Sequence, residues 1–328
     1  MSSQIAVPIS WFIHFITCHY IIRRVPSDMV RMVLTLLPCV LLTYISCNNL
    51  PQYQMSSLIT TSVCWMVSIR IIQSIVFSPN EACPLYSFIL KPFWTIFPVI
   101  PSAKMEKQWP IVFDFISGLM KLIINQWIFR WLIRCEPRDN YSTTIMLSIM
   151  ILTSSHISDI QIGFVRLITR DKYTLFSISN YPLFSKSLRE FWGRRYNRLA
   201  STVFNECIFQ PISACSSSPM LAAMTTFIVS GLLHVHVNLV ILNDTRTIIP
   251  TFAFFFLNGV ACCIEKRMAI RLPAPLGWFL THCFLLITLP LSMGPYARQG
   301  PIYFEQNLPP LFDSKWIPKL PVPDICLG

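Results

Sequence analysis

Two histidines on one apolar stretch and one dense polar cluster are the residues of this chain best placed to do chemistry. The stretch "FIVSGLLHVHVNLVIL", Phe227 to Leu242, reads as a helix with His234 and His236 near its middle. An ionisable side chain at membrane depth is expensive and marks a functional site by default. Residues two apart point about 200° apart around a helix axis, so this pair does not share one site as ligands four apart would. The spacing argues against a metal and for one working histidine beside one with another role. Neutral imidazole suits general-base work because its pKa lies near working pH. Ser230 and Gly231 let a neighbour approach the helix just before His234. A helix–helix hydrogen-bonding role is the alternative reading of such a histidine.

The cluster is "SLREFWGRRYN", Ser187 to Asn197. It lies in a segment, Arg166–Arg198, that holds eight Lys and Arg against Asp171 and Glu190, a balance of +6. Guanidinium groups bind phosphates through paired hydrogen bonds. The neighbouring Phe191, Trp192 and Tyr196 offer faces for an adenine or walls for an acyl entrance. The alternative is a basic loop that only sets topology, with aromatics at the membrane interface.

The elements that must position these residues follow from composition. The chain has 328 residues, 53% hydrophobic and only 12% charged, with a mean hydropathy of +0.54. Soluble chains carry about twice that charged fraction. The expected fold is an all-α polytopic membrane protein with about eight transmembrane helices plus interfacial or re-entrant segments, in a single membrane-embedded domain over residues 1–328. The spans are expected at Ala6–Ile22, Met29–Cys47, Ser57–Phe77, Ile111–Ile133, Thr143–Ile160, Pro219–Leu242, Thr247–Ile264 and Leu276–Met293. Tyr86–Pro101 is too broken by proline for an ordinary span and reads as interfacial or re-entrant, and Leu199–Cys215 is amphipathic. The tail, residues 294–328, is Pro-rich and irregular. The N-terminus lacks a basic n-region and a small-residue cleavage site, and reads as a retained first helix.

Charge sets the expected topology. Arg23 and Arg24, then Lys91, Lys104 and Lys107, then Arg166–Arg198, then Lys266, Arg267 and Arg271 fall in alternate loops. The loop 48–56 has no Lys or Arg, and Arg134 and Arg138 are balanced by Glu136 and Asp139. The positive-inside rule then places the N-terminus in the lumen and the "FWGRRYN" loop in the cytosol. The same rule explains the net charge of +11 without nucleic acid as a partner. The twelve cysteines are scattered, no CxxC occurs, and buried free thiols are expected rather than a disulfide framework or a zinc site. His236, His156, His282, Arg70, Asp114 and Asp159 are taken as structural.

"SLREFWGRRYN" resembles the signature of the wax synthase-like branch of the membrane-bound O-acyltransferases (MBOAT), and "SGLLH" resembles that branch's catalytic-histidine helix. Asn197 precedes His234 by 37 positions, as an active-site Asn precedes the His in related sterol and diacylglycerol acyltransferases. "VPSDMVRMVLTLLPCVLLTY", "FFFLNGVACCIEK" and "PLGWFLTHCFLLITLPL" extend the resemblance from about Val25 to Leu291, with residues 181–242 as its signature region. Plant members usually carry Trp before the motif Asn and Glu after the His, where this chain has Tyr196 and Val235. The resemblance implies an MBOAT-like fold in the endoplasmic reticulum, with acyl-CoA as co-substrate and no other cofactor. It implies His234 as general base and Asn197 as the group that positions the thioester or its oxyanion. Phe191, Trp192, Arg194 and Arg195 become candidates for binding acyl-CoA. The leading product is a wax ester from a long-chain alcohol, while a sterol, a terpenoid or diacylglycerol as acceptor and acetyl-CoA as donor stay open. From other classes, a transporter would show inverted repeats and paired broken helices, of which none is apparent. A silent membrane scaffold would not need both Asn197 and His234. Oligomeric state is not legible.

Overall fold

The computed structural model describes residues 2–78, 84–94, 98–102, 109–135, 141–268, 272–299, 306–309 and 311–323. Lys104, Lys107, Glu136, Arg138, Asp139 and Arg271, used above for topology, lie outside them, as does part of Tyr86–Pro101. The described chain is helical except for one antiparallel pair, β1 (Val99–Pro101) with β2 (Tyr173–Leu175), in register Val99 opposite Leu175. It divides into two compact units, residues 1–97 with 202–248 and residues 98–201 with 249–328.

The first unit contains α1 (Ser2–Tyr20), α2 (Asp28–Cys47), α3 (Met55–Ile72), α4 (Leu85–Phe93) and later α11 (Pro219–Leu242). Its arrangement is inside-out. Along α2 the buried positions are Arg31, Thr35, Cys39, Thr43 and Cys47, one every fourth residue. Val33, Leu36, Leu37, Val40 and Leu41 of the same helix are exposed. A helix that turns its small and polar stripe inward and its large aliphatics outward is built for hydrocarbon solvent. The stripe is stitched by hydrogen bonds: Thr43 Oγ1 meets Ser68 Oγ at 3.1 Å, and Trp11 Nε1 donates to Ser46 Oγ at 2.9 Å. Phe15, Cys18 and Ile22 of the N-terminal segment pack with Cys39, Ile71, Ile75 and Phe88. Arg70 of α3, buried, pairs with Glu206, which neutralises a charge the bilayer would otherwise penalise.

The second unit contains α5 (Ile111–Arg134), α6 (Tyr141–Thr153), α7 (His156–Ile168), α12 (Ile248–Met268) and α13 (Ala274–Gln299). Helices α5 and α7 fit through glycines on both sides. A Cβ at Gly118 would stand 2.7 Å from Ile160 Cγ1, and one at Gly163 would stand 2.8 Å from the Phe115 ring. A polar seam runs along the same contact. Asp159 Oδ2 accepts from Lys121 Nζ and Ser117 Oγ, each at 2.6 Å. Asn125 donates to Met150 O and Thr153 Oγ1. Arg166 reaches Asp114 at 2.6 Å and Asp171 at 2.7 Å. The Arg166 hydrogen bond holds the Asp171 carboxyl below the ordinary carboxylate value. Arg70, Asp114 and Asp159 thus each have a paired, structural setting.

Seven helical segments among the described residues are long and apolar enough to cross a membrane: 28–47, 55–77, 111–134, 141–168, 219–242, 245–268 and 274–299. This is an integral membrane protein. The expected all-α polytopic class stands, and of the eight expected spans α1 is the one not among these segments. His14 and His19, with the polar residues at its start, dilute the apolar run of that helix. One correction concerns the cysteines. Nine described ones are free, but Cys135, at the C-terminal end of α5, is disulfide-bonded. A residue next to a balanced loop carries no sequence mark of this.

Candidate active site

The polar cluster is an internally braced loop of the second unit. Ser187 caps the short helix α8 (Leu188–Glu190) by accepting from Glu190 N at 3.0 Å, and the Glu190 carboxylate reaches back to Lys186 N at 2.8 Å. The Ser187 hydroxyl satisfies a donor that the helix start leaves orphaned, while the Glu190 carboxylate ties down the residue before the cap. Burial raises the Glu190 carboxyl, but the Lys186 N–H and the Arg195 guanidinium outweigh it and hold it below its ordinary value. Arg195 Nε lies 2.6 Å from Glu190 Oε1, and Arg195 Nη1 donates to Asn180 O. The loop is also held from outside. Glu265 of α12 accepts from Arg189 N, Trp278 Nε1 of α13 donates to Leu183 O, and a Cβ on Gly277 would come within 2.6 Å of Lys186 O.

Residues 191–195 form a π-turn, closed by Tyr196 N to Phe191 O at 2.9 Å. Such single wide turns recur at functional sites. The turn stacks Phe191 on Tyr196 with ring centroids 5.1 Å apart and sets Trp192 edge-on to both. Trp192 then docks on α12, where its Nε1–H donates to Asn258 Oδ1 at 2.9 Å beside Phe254 and Phe255. Desolvation pushes the Tyr196 hydroxyl up. Phe191 is buried and its ring is engaged, so it is an architectural residue rather than an open stacking platform. The same packing engages Trp192. Asn258, fully buried, was missed in the sequence reading, although an Asn amid "FFFLNGV" was a visible signal.

The two arginines separate. Arg195 is committed to Glu190, whereas Arg194 is exposed and has no partner among the described residues. Beside it, a Cβ on Gly193 would meet nothing within 4 Å, so there is room for a ligand. Arg194→Ala is therefore expected to leave thermal stability unchanged. Arg195→Ala is expected to lower stability first. Thermal melts of the two variants decide this, and a destabilised Arg194→Ala would show that this arginine too is committed to the fold.

Asn197 follows the turn and caps α9 (Arg198–Phe204). Its Oδ1 accepts from Ala200 N at 3.0 Å and its backbone carbonyl accepts from Ser201 N. An Asn at this position is a strong helix start. The side chain is exposed, and its amide NH2 is left to donate elsewhere.

The histidines lie on α11 in the first unit. His234 Nδ1 is 2.8 Å from Ser230 O. A carbonyl only accepts, so the hydrogen bond places the proton on Nδ1 and makes Nε2 the basic nitrogen. His236 has the opposite tautomer. Trp65 Nε1 lies 2.9 Å from His236 Nδ1; an indole N–H only donates, so Nδ1 accepts and the proton sits on Nε2. One imidazole thus presents a base and the other a donor. His156 and His282 also bond preceding carbonyls. Among the described residues no group of three His, Cys, Asp or Glu converges as a metal site.

Residues 176–257 match the membrane bound O-acyl transferase family. That stretch contains the π-turn, the Asn197 cap and the His234 helix, and it bears out the resemblance read from their motifs. The chain is similar to the probable long-chain-alcohol O-fatty-acyltransferase 9 of Arabidopsis thaliana, 34% identical over 139 residues, 37% of this chain and 40% of the relative. It is similar to the long-chain-alcohol O-fatty-acyltransferase of Simmondsia chinensis, 30% identical over 122 residues, 33% of this chain and 34% of the relative. It is also similar to the acyl-CoA–sterol O-acyltransferase 1 of Arabidopsis thaliana, 28% identical over 121 residues, 33% of this chain and 35% of the relative. These matches span well under half of each relative's length.

Proposed function

We propose, from the membrane bound O-acyl transferase match of residues 176–257, that this integral membrane protein transfers an acyl group from acyl-CoA to a lipophilic alcohol. A long-chain alcohol is the acceptor the reading favours, and a wax ester the product. The observation that carries the proposal is the family match over the stretch that holds His234, whose Nδ1 is hydrogen-bonded to Ser230 O, so that Nε2 carries the lone pair. His234 Nε2 takes the hydroxyl proton as the alcohol oxygen attacks the thioester carbonyl carbon. The carbon–sulfur bond then breaks, the ester leaves, and the proton passes to the CoA sulfur. Asn197, its oxygen engaged in the α9 cap, donates from its amide NH2 to the oxygen that gains charge. Arg194 and the open space at Gly193 receive the CoA phosphates.

The loop faces the cytosol in this reading, with Cys135, at the end of α5, on the side of the endoplasmic reticulum lumen. The disulfide at Cys135 supports that placement, since disulfides persist in the oxidising lumen and are rare in the cytosol. A sterol acceptor is the second reading, favoured by the similarity to a sterol O-acyltransferase. Membranes containing the protein, incubated with a panel of acyl-CoAs and alcohols and read by product mass, test both. Ester formed from fatty alcohol supports the first reading, ester formed only from sterol supports the second, and no ester from any pair rejects acyl transfer.

A further inference from the structure

A cavity of about 540 Å3 lies within the first unit, walled by α2, α3, α11 and residues 207–212. Its α11 wall is Thr225, Val229, Leu232 and His236, residues spaced four, three and four apart, which is one stripe of a helix. His234 is two positions from both Leu232 and His236, so it points to the other side of α11. The cavity is therefore not the space served by the His234 base. Its size falls in the range of small-molecule sites, roughly 300–1,000 Å3.

No described lining residue is charged. Several, among them Leu36, Val40 and Leu232, are also exposed, so the cavity opens to the outside of the unit through apolar side chains. Among the polar side chains of the wall, which also include Tyr44, Thr43 pairs with Ser68, Thr225 donates to Leu221 O, and Trp65 Nε1–H donates to His236 Nδ1. That last bond forces the remaining proton of the imidazole onto His236 Nε2, which gives this apolar wall a hydrogen-bond donor.

We infer that this cavity is a berth for a neutral lipid that combines a hydrocarbon body with a hydrogen-bond-accepting oxygen, bound on the face of α11 turned away from His234. The absence of a cation among the described lining residues disfavours a phospholipid headgroup, and the His236 donor favours an oxygen over a bare alkane. The inference is independent of acyl transfer.

The test uses the full chain in lipid nanodiscs with two diazirine probes of equal length, a long-chain fatty alcohol and the matching alkane. Adducts are mapped by peptide mass spectrometry. The alcohol is expected to label α2, α3 and the 225–236 stripe more than the alkane does, and phosphatidylcholine is expected not to compete. Val229→Trp and Leu36→Trp, each filling the cavity from a different helix, are expected to lose those adducts, so a folding defect in one leaves the other to decide. His236→Phe is expected to abolish the preference for alcohol over alkane. His234→Ala is expected to keep the labelling whether or not it supports turnover. Equal labelling by alcohol and alkane, competition by phosphatidylcholine, or undiminished labelling in a well-folded tryptophan variant would overturn the inference.

Discussion

His234→Ala is expected to abolish acyl transfer while the protein inserts and purifies as the wild type does. General-base catalysis contributes roughly 10²–10⁴-fold, about 3–5 kcal/mol of barrier, and the variant removes the only group in the proposed reaction that accepts the hydroxyl proton. The fall belongs in kcat, because the imidazole acts on the reacting hydroxyl rather than on CoA. His236→Ala is the informative contrast. It deletes the acceptor for Trp65 Nε1, which leaves an indole N–H short of a partner at a cost of about 1–3 kcal/mol if water does not replace it. Its effect is therefore expected in the melting temperature, with the chemical step retained. Measured together, kcat and melting temperature separate the two histidines. Full turnover in His234→Ala would end the assignment of that residue as the base. A reversal, with His236→Ala dead and stable, would move the chemistry to the other face of α11.

Much of this architecture was legible in the chain because hydropathy alone marks helices built for hydrocarbon. The seven spans were all expected, with ends displaced by up to eight residues. Less legible was α1, where His14 and His19 interrupt the apolar run and leave it less apolar than the other expected spans. The inward stripe of α2, from Arg31 to Cys47 every fourth residue, was readable in principle, since small and polar residues recur at helical spacing. The partners of that stripe were not, because they come from distant segments. Lys121 shows the same limit. Nothing near it in sequence indicates that Asp159, thirty-eight positions on, neutralises it. Within the candidate site, the sequence marked Asn197 and His234 through two separate motifs. The division of labour between Arg194 and Arg195 was partly so, since Glu190 closes a Ser-x-x-Glu pattern within reach of Arg195. The opposite tautomers of His234 and His236 were not legible, because they depend on which neighbour each Nδ1 meets.

Asn197 carries the second large expectation, and the structure sets a choice that sequence left open. As the cap of α9 it needs only an acceptor oxygen, bonded to Ala200 N. As an oxyanion partner it needs the amide NH2. Asn197→Asp keeps the first function and removes the second. Asp ranks with Asn as a cap, and its charge at a helix N-terminus is favourable, so the variant is expected to melt with the wild type. Its kcat is expected to fall about 10²–10³-fold, the usual loss for one oxyanion donor, because the carboxylate supplies no proton and repels the developing charge. Asn197→Ala removes both functions and is expected to lose a similar factor in kcat together with about 1 kcal/mol of stability from the missing cap. Circular-dichroism melts and single-turnover rates on the two variants resolve the matter. If Asn197→Asp turns over as fast as the wild type while Asn197→Ala only melts earlier, the residue is a helix cap and nothing more, and the oxyanion must find its donor elsewhere.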